Sequence, residues 1–237
     1  MMIKHQTEVL PRHEIKYVIS GQEADLLSGR LEKLFRRDSH GKGHGRYLVT
    51  SLYFDDIYDS ALRDKIDGTD DRRKYRLRYY GDDVSFIRLE KKEKRRGFCR
   101  KYSIRAEGVW AEELISGEFG HIPYMDTDSP LLYEFCLRRR EGLLRPRKVI
   151  SYEREAFIYE PGNVRLTIDR DIRTSEVFEY FLSPDKLRPC ELPASGRDCV
   201  LEVKYDRFLP KLASLSLQGI GRMSSACSKY AISFRYD

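Results

Sequence analysis

The sequence lacks the features that mark several large protein classes. Its five cysteines are odd in number and show no CxxC spacing. This argues against a disulfide framework or a zinc site and favours free thiols in a reducing compartment. No apolar run is long enough for the core of a signal peptide or for a membrane-spanning helix. We therefore expect a cytoplasmic protein with no membrane span of its own.

The sequence also lacks a recognisable arrangement for nucleophilic catalysis. The five histidines fall near the chain ends, in loops or on apolar strand faces, so we interpret them as structural. The glycine-rich stretch HGKGHGR (40–46) holds a lysine, but it lacks the GxxxxGK[ST] spacing of a phosphate loop and predicts a flexible loop. No Ser-His-Asp set is indicated, so any chemistry has to come from other side chains.

Charge, by contrast, is abundant. Charged residues form 35% of the chain and hydrophobic residues 41%, and the net charge is +6. Such an excess favours an anionic partner, which could be nucleic acid, anionic lipid or a phosphorylated small molecule. A basic protein without a special partner accounts for the charge equally well at this point.

Alternation of charged and apolar residues predicts most of the secondary structure. In RKYRLRYY, for example, Arg76 and Arg78 fall on one face of a strand and Leu77 on the other. Similar period-two patterns predict strands over residues 12–17, 47–55, 84–94, 101–105, 148–160, 164–170 and 199–206. Because no repeat or obvious linker divides the chain, we predict a single domain, 1–237.

Fewer segments have helical spacing. Ser20, with Glu23 three residues later, predicts a capped helix over residues 20–37. Further helices are predicted over 111–117, over 127–142 with Pro130 in the first turn, and over 210–234 with a break near Gly219 and with Lys229 in the second part.

The charged strand faces favour an unusual sheet. An antiparallel sheet with one face in water is the ordinary alternative. Arginine recurs on these faces, however, and a glutamate precedes a lysine by two positions at Glu14/Lys16, Glu90/Lys92 and Glu202/Lys204. The opposite faces are apolar and need cover. Together these features favour an α+β fold, an antiparallel β-barrel tunnel of about eight strands with a polar, basic lumen and helices packed outside.

A basic lumen requires an anionic occupant. Phosphate oxygens are suitable, because arginine binds them in a bidentate manner and lysine supplies a compact point charge. A carboxylate that is not fully neutralised can also bind a hard divalent cation such as Mg²⁺ or Mn²⁺, which phosphoryl transfer usually requires. Nucleic acid is not expected, because aromatic residues do not interleave with the basic faces as base stacking needs.

Several short motifs, taken in order, resemble those of the VTC domain, the catalytic domain of the vacuolar transporter chaperone polyphosphate polymerase. They are RHEIKY, SLYFDD, KYRLRYYG, FIRLEKKEK, YEREAF, VRLTIDRDI, LEVKY and SKY. That domain belongs to the triphosphate tunnel metalloenzyme superfamily. The resemblance therefore implies an antiparallel tunnel lined by basic side chains, with the C-terminal helix near one tunnel end.

The resemblance also implies roles for individual residues. The catalytic residues that it implies, which would also bind substrate phosphates, are Arg76, Arg78, Lys92 and Lys229. Further phosphate-binding residues would be Lys16, Arg154, Arg165 and Lys204. Glu202 would bind Mn²⁺ or Mg²⁺, with Glu14 and Glu90 as additional candidates.

Arg12 departs from the pattern of one branch of that superfamily. The CYTH branch, which includes thiamine triphosphatases and class IV adenylate cyclases, carries ExExK on its first strand, whereas this chain has RxExK. The missing glutamate favours the polymerase-like branch, so we expect transfer of the terminal phosphoryl group of ATP to polyphosphate. A triphosphatase acting on tripolyphosphate or a nucleoside triphosphate, and a non-catalytic receptor for polyphosphate or inositol phosphates, remain alternatives. Any export of the polymer would need a separate membrane partner.

Overall fold

The fold comprises two compact units. The computed structural model describes residues 7–9, 12–38, 45–96, 98–106, 108–123, 125, 128–192, 198–220 and 227–234. Unit 1 contains residues 1–10, 50–150 and 175–189, and unit 2 contains residues 11–49, 151–174 and 190–237. The single domain expected over 1–237 stays a prediction.

Unit 1 is built on antiparallel strands and three helices. The strands are β1 (Thr7–Val9), β4 (Arg46–Asp55), β5 (Arg72–Tyr80), β6 (Asp83–Arg95) and β7 (Phe98–Ala106), hydrogen-bonded in the order β1-β7-β6-β5-β4. The helices are α2 (Ser60–Ile66), α3 (Val109–Ser116) and α4 (Pro130–Arg140). Helix α4 buries Leu132 and Phe135 in one hydrophobic core with Leu77 and Leu89 of the strands. The apolar strand face of unit 1 is therefore covered by helices.

Unit 2 has the same kind of layering. Its strands are β2 (His13–Ile19), β3 (Arg36–Arg37), β9 (Val164–Ser175), β10 (Cys190–Glu191) and β11 (Cys199–Tyr205), with β8 (Arg145–Tyr159) in the order β8-β9-β11-β2. Strands β4 and β8 have residues in both units. The helices are α1 (Gly21–Leu34), α5 (Lys211–Ser216) and α6 (Lys229–Ile232). Leu27 and Leu31 of α1 share a core with Leu166 and Leu201.

These elements confirm the predicted fold class. In the described ranges, eight strands contain seven residues or more, which agrees with the predicted number. Helices cover the apolar strand faces in each unit, and Arg76, Arg78 and Glu90 lie on the face opposite Leu77 and Leu89. Charged residues on the helix side pair with helix residues, as Lys91 does with Glu134 and Arg170 with Asp25. None of the described helices is long and apolar enough to cross a bilayer.

Local signals at the helix ends are also confirmed. Ser20 caps α1, since its Oγ accepts from Glu23 N at 3.2 Å while the Glu23 carboxylate accepts from Ser20 N at 2.7 Å. The Ser129 Oγ caps α4 by accepting from Leu132 N at 3.3 Å, and Pro130 occupies the first position of that helix. Helix α1 therefore begins where the capping pattern at Ser20 and Glu23 predicts, and α4 spans Pro130–Arg140 within the range predicted for it.

Several segments differ from the predictions. The helix predicted over 20–37 ends at Leu34, and Arg36–Arg37 form strand β3 instead. Helix α2 was not predicted; it buries no side chain, and it begins where the Asp55 carboxylate accepts the backbone N–H groups of Ala61 and Leu62. The helices predicted over 210–234 are shorter, because α5 ends at Ser216 and α6 spans only four residues. Of the predicted loop 40–46, residues 40–44 lie outside the described part of the chain, and Arg46 begins β4.

Candidate functional site

The charged face of unit 1 is centred on Glu90, which pairs with three cations. Arg76, directly opposite in the β5–β6 ladder, donates to Glu90 Oε2 from Nε at 2.8 Å and from Nη2 at 2.7 Å. Lys101 Nζ lies 2.6 Å from Oε1, and Arg78 pairs with the same oxygen. We call these four residues the Glu90 cluster. Its one carboxylate leaves two positive charges in excess.

Burial and neighbouring charges together determine the protonation of this cluster. Burial alone would raise the pKa of Glu90, but Arg76, Arg78 and Lys101 outweigh it and hold that pKa well below its usual range. Burial lowers the pKa of Lys101 to about 8; Arg78 and Arg76 add to the decrease, and Glu90 opposes it. The ammonium of Lys101 therefore loses its proton more readily than an ordinary lysine.

A row of lysines continues the same face. Lys92 is exposed and lies in register between Lys74 on β5 and Lys101 on β7. Tyr53 supports two of the neighbouring cations, since its hydroxyl accepts from Arg76 Nη1 at 3.0 Å and its ring lies 4.5 Å from Lys74 Nζ. The predicted residue Lys92 is thus on the same face as Arg76 and Arg78.

Unit 2 places a second cluster around Asp169 of β9. Arg154 donates to both carboxylate oxygens of Asp169, from Nε at 2.6 Å and from Nη2 at 2.8 Å, and Lys229 of α6 pairs with Oδ2. The ring of Tyr152 lies beneath both cations, 5.2 Å from the Arg154 guanidinium carbon and 4.6 Å from Lys229 Nζ. We call these four residues the Asp169 cluster, and it has one positive charge in excess.

A third group of charges, the Glu202 cluster, joins β2 and β11. In the antiparallel register Lys16 faces Glu202 and Glu14 faces Lys204. Lys16 Nζ lies 2.9 Å from Glu14 Oε1 and 3.4 Å from Glu202 Oε1, and Lys204 Nζ lies 3.2 Å from Glu202 Oε2. Each cation of this cluster therefore faces a carboxylate on the other strand, and the two positive and two negative charges balance.

Electrostatics fix the charged forms of this cluster as well. Burial disfavours the charged forms of Glu202 and Lys16, but the opposite charges around them outweigh it. Lys204 and Lys16 hold the pKa of Glu202 well below its usual range, and Glu202 and Glu14 raise the pKa of Lys16. Glu202 also helps to raise the pKa of Arg154, which links this cluster electrostatically to the Asp169 cluster.

The acidic residues differ in how well they suit a divalent metal. In the described ranges no three Asp, Glu, His or Cys side chains come together as a complete ligand set. Glu14 and Glu202 nevertheless lie close together, since both pair with Lys16. Proteins usually bind Mg²⁺ through one or two carboxylates, and phosphate oxygens and water supply the remaining ligands. Glu90 suits a metal poorly, because three cations already surround it.

Two residues from the sequence patterns have other partners. Arg165 Nη2 lies 2.7 Å from Asp38 Oδ2 and 3.2 Å from the Tyr47 hydroxyl. Arg12 Nε lies 2.9 Å from Asp206 Oδ1, so the residue at the first position of RxExK serves in an ion pair.

Sequence reasoning did not include Lys101, Asp169, Tyr53 or Tyr152 in the site. The signal that could have found Lys101 and Asp169 was the alternation itself, since both lie on the charged faces of predicted strands. Their partners, however, depend on strand register and on α6, which alternation does not specify.

Comparisons with known proteins agree with this architecture. The sequence model of the VTC domain matches residues 11–236. A candidate adenylate cyclase of Bacillus halodurans is 17% identical, with a TM-score of 0.53, over 90% of this chain and 88% of that one. A candidate adenylyl cyclase of Hippeastrum with a dominant triphosphatase activity is 16% identical, with a TM-score of 0.51, over 93% and 94%. At such identities these two structures show the fold alone. Among curated proteins none matches significantly.

Proposed function

Since the chain belongs to the VTC domain family, we propose that it transfers the terminal phosphoryl group of ATP to the end of a polyphosphate chain. Except for Lys92 and Arg165, the residues proposed for this reaction belong to the three clusters. In unit 1, Arg76, Arg78 and Lys92 are proposed to act on the transferred group. In unit 2, the residues proposed to bind phosphate are Lys16, Arg154, Arg165, Lys204 and Lys229, of which Lys229 is also proposed to be catalytic.

The observation that supports this proposal most directly is the charge of the Glu90 cluster. Its three cations surround one buried carboxylate, so positive charge exceeds negative charge within these four residues. The arginines are held in place by Glu90, with their planar groups already oriented. Phosphate oxygens match both the sign and the planar geometry of these groups.

The proposed reaction requires positioning and charge stabilisation from the protein. A terminal oxygen of polyphosphate forms a bond to the terminal phosphorus of ATP, the bond from that phosphorus to the bridging oxygen breaks, and ADP leaves. The attacking oxygen is already anionic, so no general base is needed. Arginines that neutralise the charge spread over the transferred group would lower the barrier.

Glu202 is the proposed metal ligand, with Glu14 beside it. A bound Mn²⁺ or Mg²⁺ would orient the phosphates and offset part of their charge. Lys204 and Lys16 hold the pKa of Glu202 well below its usual range, so this carboxylate stays ionised at neutral pH, which is the form that binds a metal. The environment of Glu90 favours a purely structural task for that residue, which is to hold Arg76 and Arg78.

Arg12 favours the transferase over a triphosphatase. A glutamate at this position would add a third carboxylate to Glu14 and Glu202, but Arg12, which precedes strand β2, instead forms an ion pair with Asp206. The chain therefore has fewer metal ligands than the ExExK pattern provides. Hydrolysis of tripolyphosphate or a nucleoside triphosphate is the alternative outcome of the test below.

Incubation of the purified protein with ATP and Mn²⁺, followed by gel electrophoresis of the products, tests the proposal. We expect polyphosphate and ADP to accumulate together. The double variant Arg76→Gln/Arg78→Gln should form no polymer. Arg95→Gln/Arg96→Gln, which removes two exposed arginines at the end of β6, should remain active. Orthophosphate without polymer would identify a triphosphatase, and binding of polyphosphate without loss of ATP would identify a receptor.

A further inference from the structure

The Asp169 cluster contains a charge that is unexpected in a site for anions. The Asp169 carboxylate is fully buried, and its negative charge opposes the approach of phosphate. Both of its oxygens are directed at cations, Arg154 through two hydrogen bonds and Lys229 through one ion pair. A residue that weakens anion binding but orders two cations has a role other than binding.

We propose that Asp169 is a positioning residue, which fixes Arg154 and Lys229 relative to each other and fastens helix α6 to the charged face of unit 2. The inference that these cations receive a phosphate rests on the proposed function. The link between Asp169 and α6 does not, because it follows from the contacts alone.

Helix α6 needs such an attachment. It contains only four residues, Lys229–Ile232, and a helix of that length is not stable by itself in water. Its first residue is Lys229, whose side chain is mostly buried against Asp169 and Tyr152. Tyr230 is buried as well. The position of α6 therefore depends on side-chain contacts, and Lys229–Asp169 is the charged one.

The same contacts restrict the rotation of both cations. Arg154 is bound in a bidentate manner, which fixes the plane of its guanidinium group. The Tyr152 ring lies against Arg154 and Lys229 and prevents either from turning to that side. Burial would raise the pKa of Asp169, but Arg154 and Lys229 lower it, so the carboxylate stays ionised. Asp169 therefore remains able to orient both partners throughout the neutral pH range.

Hydrogen exchange tests the link to α6 without any need for activity. In Asp169→Asn the neutral amide attracts Lys229 less strongly than the carboxylate does. We therefore expect the amides of Ile232 and Ser233, which donate to Ser228 O and Lys229 O, to exchange at least about tenfold faster, as expected for local opening. Lys229→Met removes the same ion pair but leaves the Arg154–Asp169 pair intact, and it should increase the exchange rates equally. This second variant provides the test if Asp169→Asn folds poorly. Asp25→Asn, which removes an exposed partner of Arg170 elsewhere in unit 2, is the matched control. Unchanged exchange of α6 in both test variants would overturn the proposal.

Kinetics with ATP and polyphosphate test the positioning role. For Asp169→Asn we expect kcat to decrease about 10- to 100-fold, as for a misplaced group, while KM changes by less than about threefold. A merely structural role would reduce the fraction of folded protein and leave kcat per folded molecule unchanged, which would contradict the proposal. If the wild-type protein shows no turnover, the proposed function fails, and the exchange experiment still decides the role of Asp169.

Discussion

At the scale of single residues, one group in the site changes charge near physiological pH. Burial and two neighbouring arginines lower the pKa of Lys101 to about 8. The excess positive charge of the Glu90 cluster should therefore fall from two to one as the pH rises through 8. The affinity of the cluster for a bound anion should therefore decrease as the pH rises.

We predict that the affinity for polyphosphate decreases by about tenfold between pH 7 and pH 9.5, because a hydrogen bond to a charged group contributes about 1.5–3 kcal/mol. The sign follows from the lowered pKa, since Lys101 is charged below pH 8 and neutral above it. Calorimetric titrations across this range would measure the effect. Lys101→Arg keeps its charge, so its affinity should vary much less with pH. Identical pH profiles for the two proteins would exclude Lys101 as the titrating group.

Glu202 offers a second test at this scale. If it binds the metal, Glu202→Gln should raise the Mn²⁺ concentration needed for half-maximal activity, because a neutral amide is a weaker ligand for a hard cation. Metal titrations at saturating ATP would measure this shift. Glu90→Gln is the matched comparison, since Glu90 is already surrounded by cations and its loss should leave the metal requirement unchanged. A metal requirement that shifts for Glu90→Gln but not for Glu202→Gln would contradict the assignment.

At the scale of elements, helix α1 supplies much of the cover on the apolar face of unit 2. It buries Ala24, Leu27 and Leu31, and it begins with a complete capping box at Ser20 and Glu23. The cap satisfies backbone N–H groups that the first turn leaves without intrahelical partners. Packing and capping therefore cooperate in holding this helix against the strands.

Removing that cap should have a measurable cost. Ser20→Ala is expected to lower the free energy of unfolding by about 1 kcal/mol, the typical cost of losing a side-chain N-cap. Urea denaturation would measure the change. Gln22→Ala, an exposed substitution in the same turn, should change the stability by less than about 0.5 kcal/mol. Equal effects of both substitutions would mean that the capping hydrogen bonds contribute little.

The elements also show why sequence reasoning reached part of the structure. Alternation identified the charged faces of β5, β6, β9 and β11, because side-chain direction in a strand follows directly from residue parity. It could not identify the partners across strands, such as Glu90 with Lys101, because they depend on register. Helix α2 was not predicted because it buries no side chain and therefore has no apolar stripe in its sequence. The assignment of individual residues to catalysis stays a prediction.

At the scale of the whole molecule, the net charge of +6 acts at longer range than any cluster. Charges spread over a surface attract a polyanion through water, and salt screens this attraction over about 8 Å at physiological ionic strength. Arginines that touch the ligand are screened much less. The two contributions should therefore separate when the salt concentration is varied.

We predict that Arg95→Gln/Arg96→Gln, which lowers the net charge from +6 to +4 outside the clusters, weakens polyphosphate binding at low salt only. The curves of this variant and the wild type should converge above about 0.3 M NaCl, where screening is nearly complete. Arg76→Gln/Arg78→Gln makes the same change of net charge inside the Glu90 cluster. It should reduce the affinity for polyphosphate at every salt concentration by about 10- to 100-fold or more, because it removes charged contacts that contribute about 1.5–3 kcal/mol each. Titrations of all three proteins from 0.05 to about 0.5 M NaCl would measure both effects. Parallel curves for the two double variants would mean that binding reflects total charge and that the cluster has no special role.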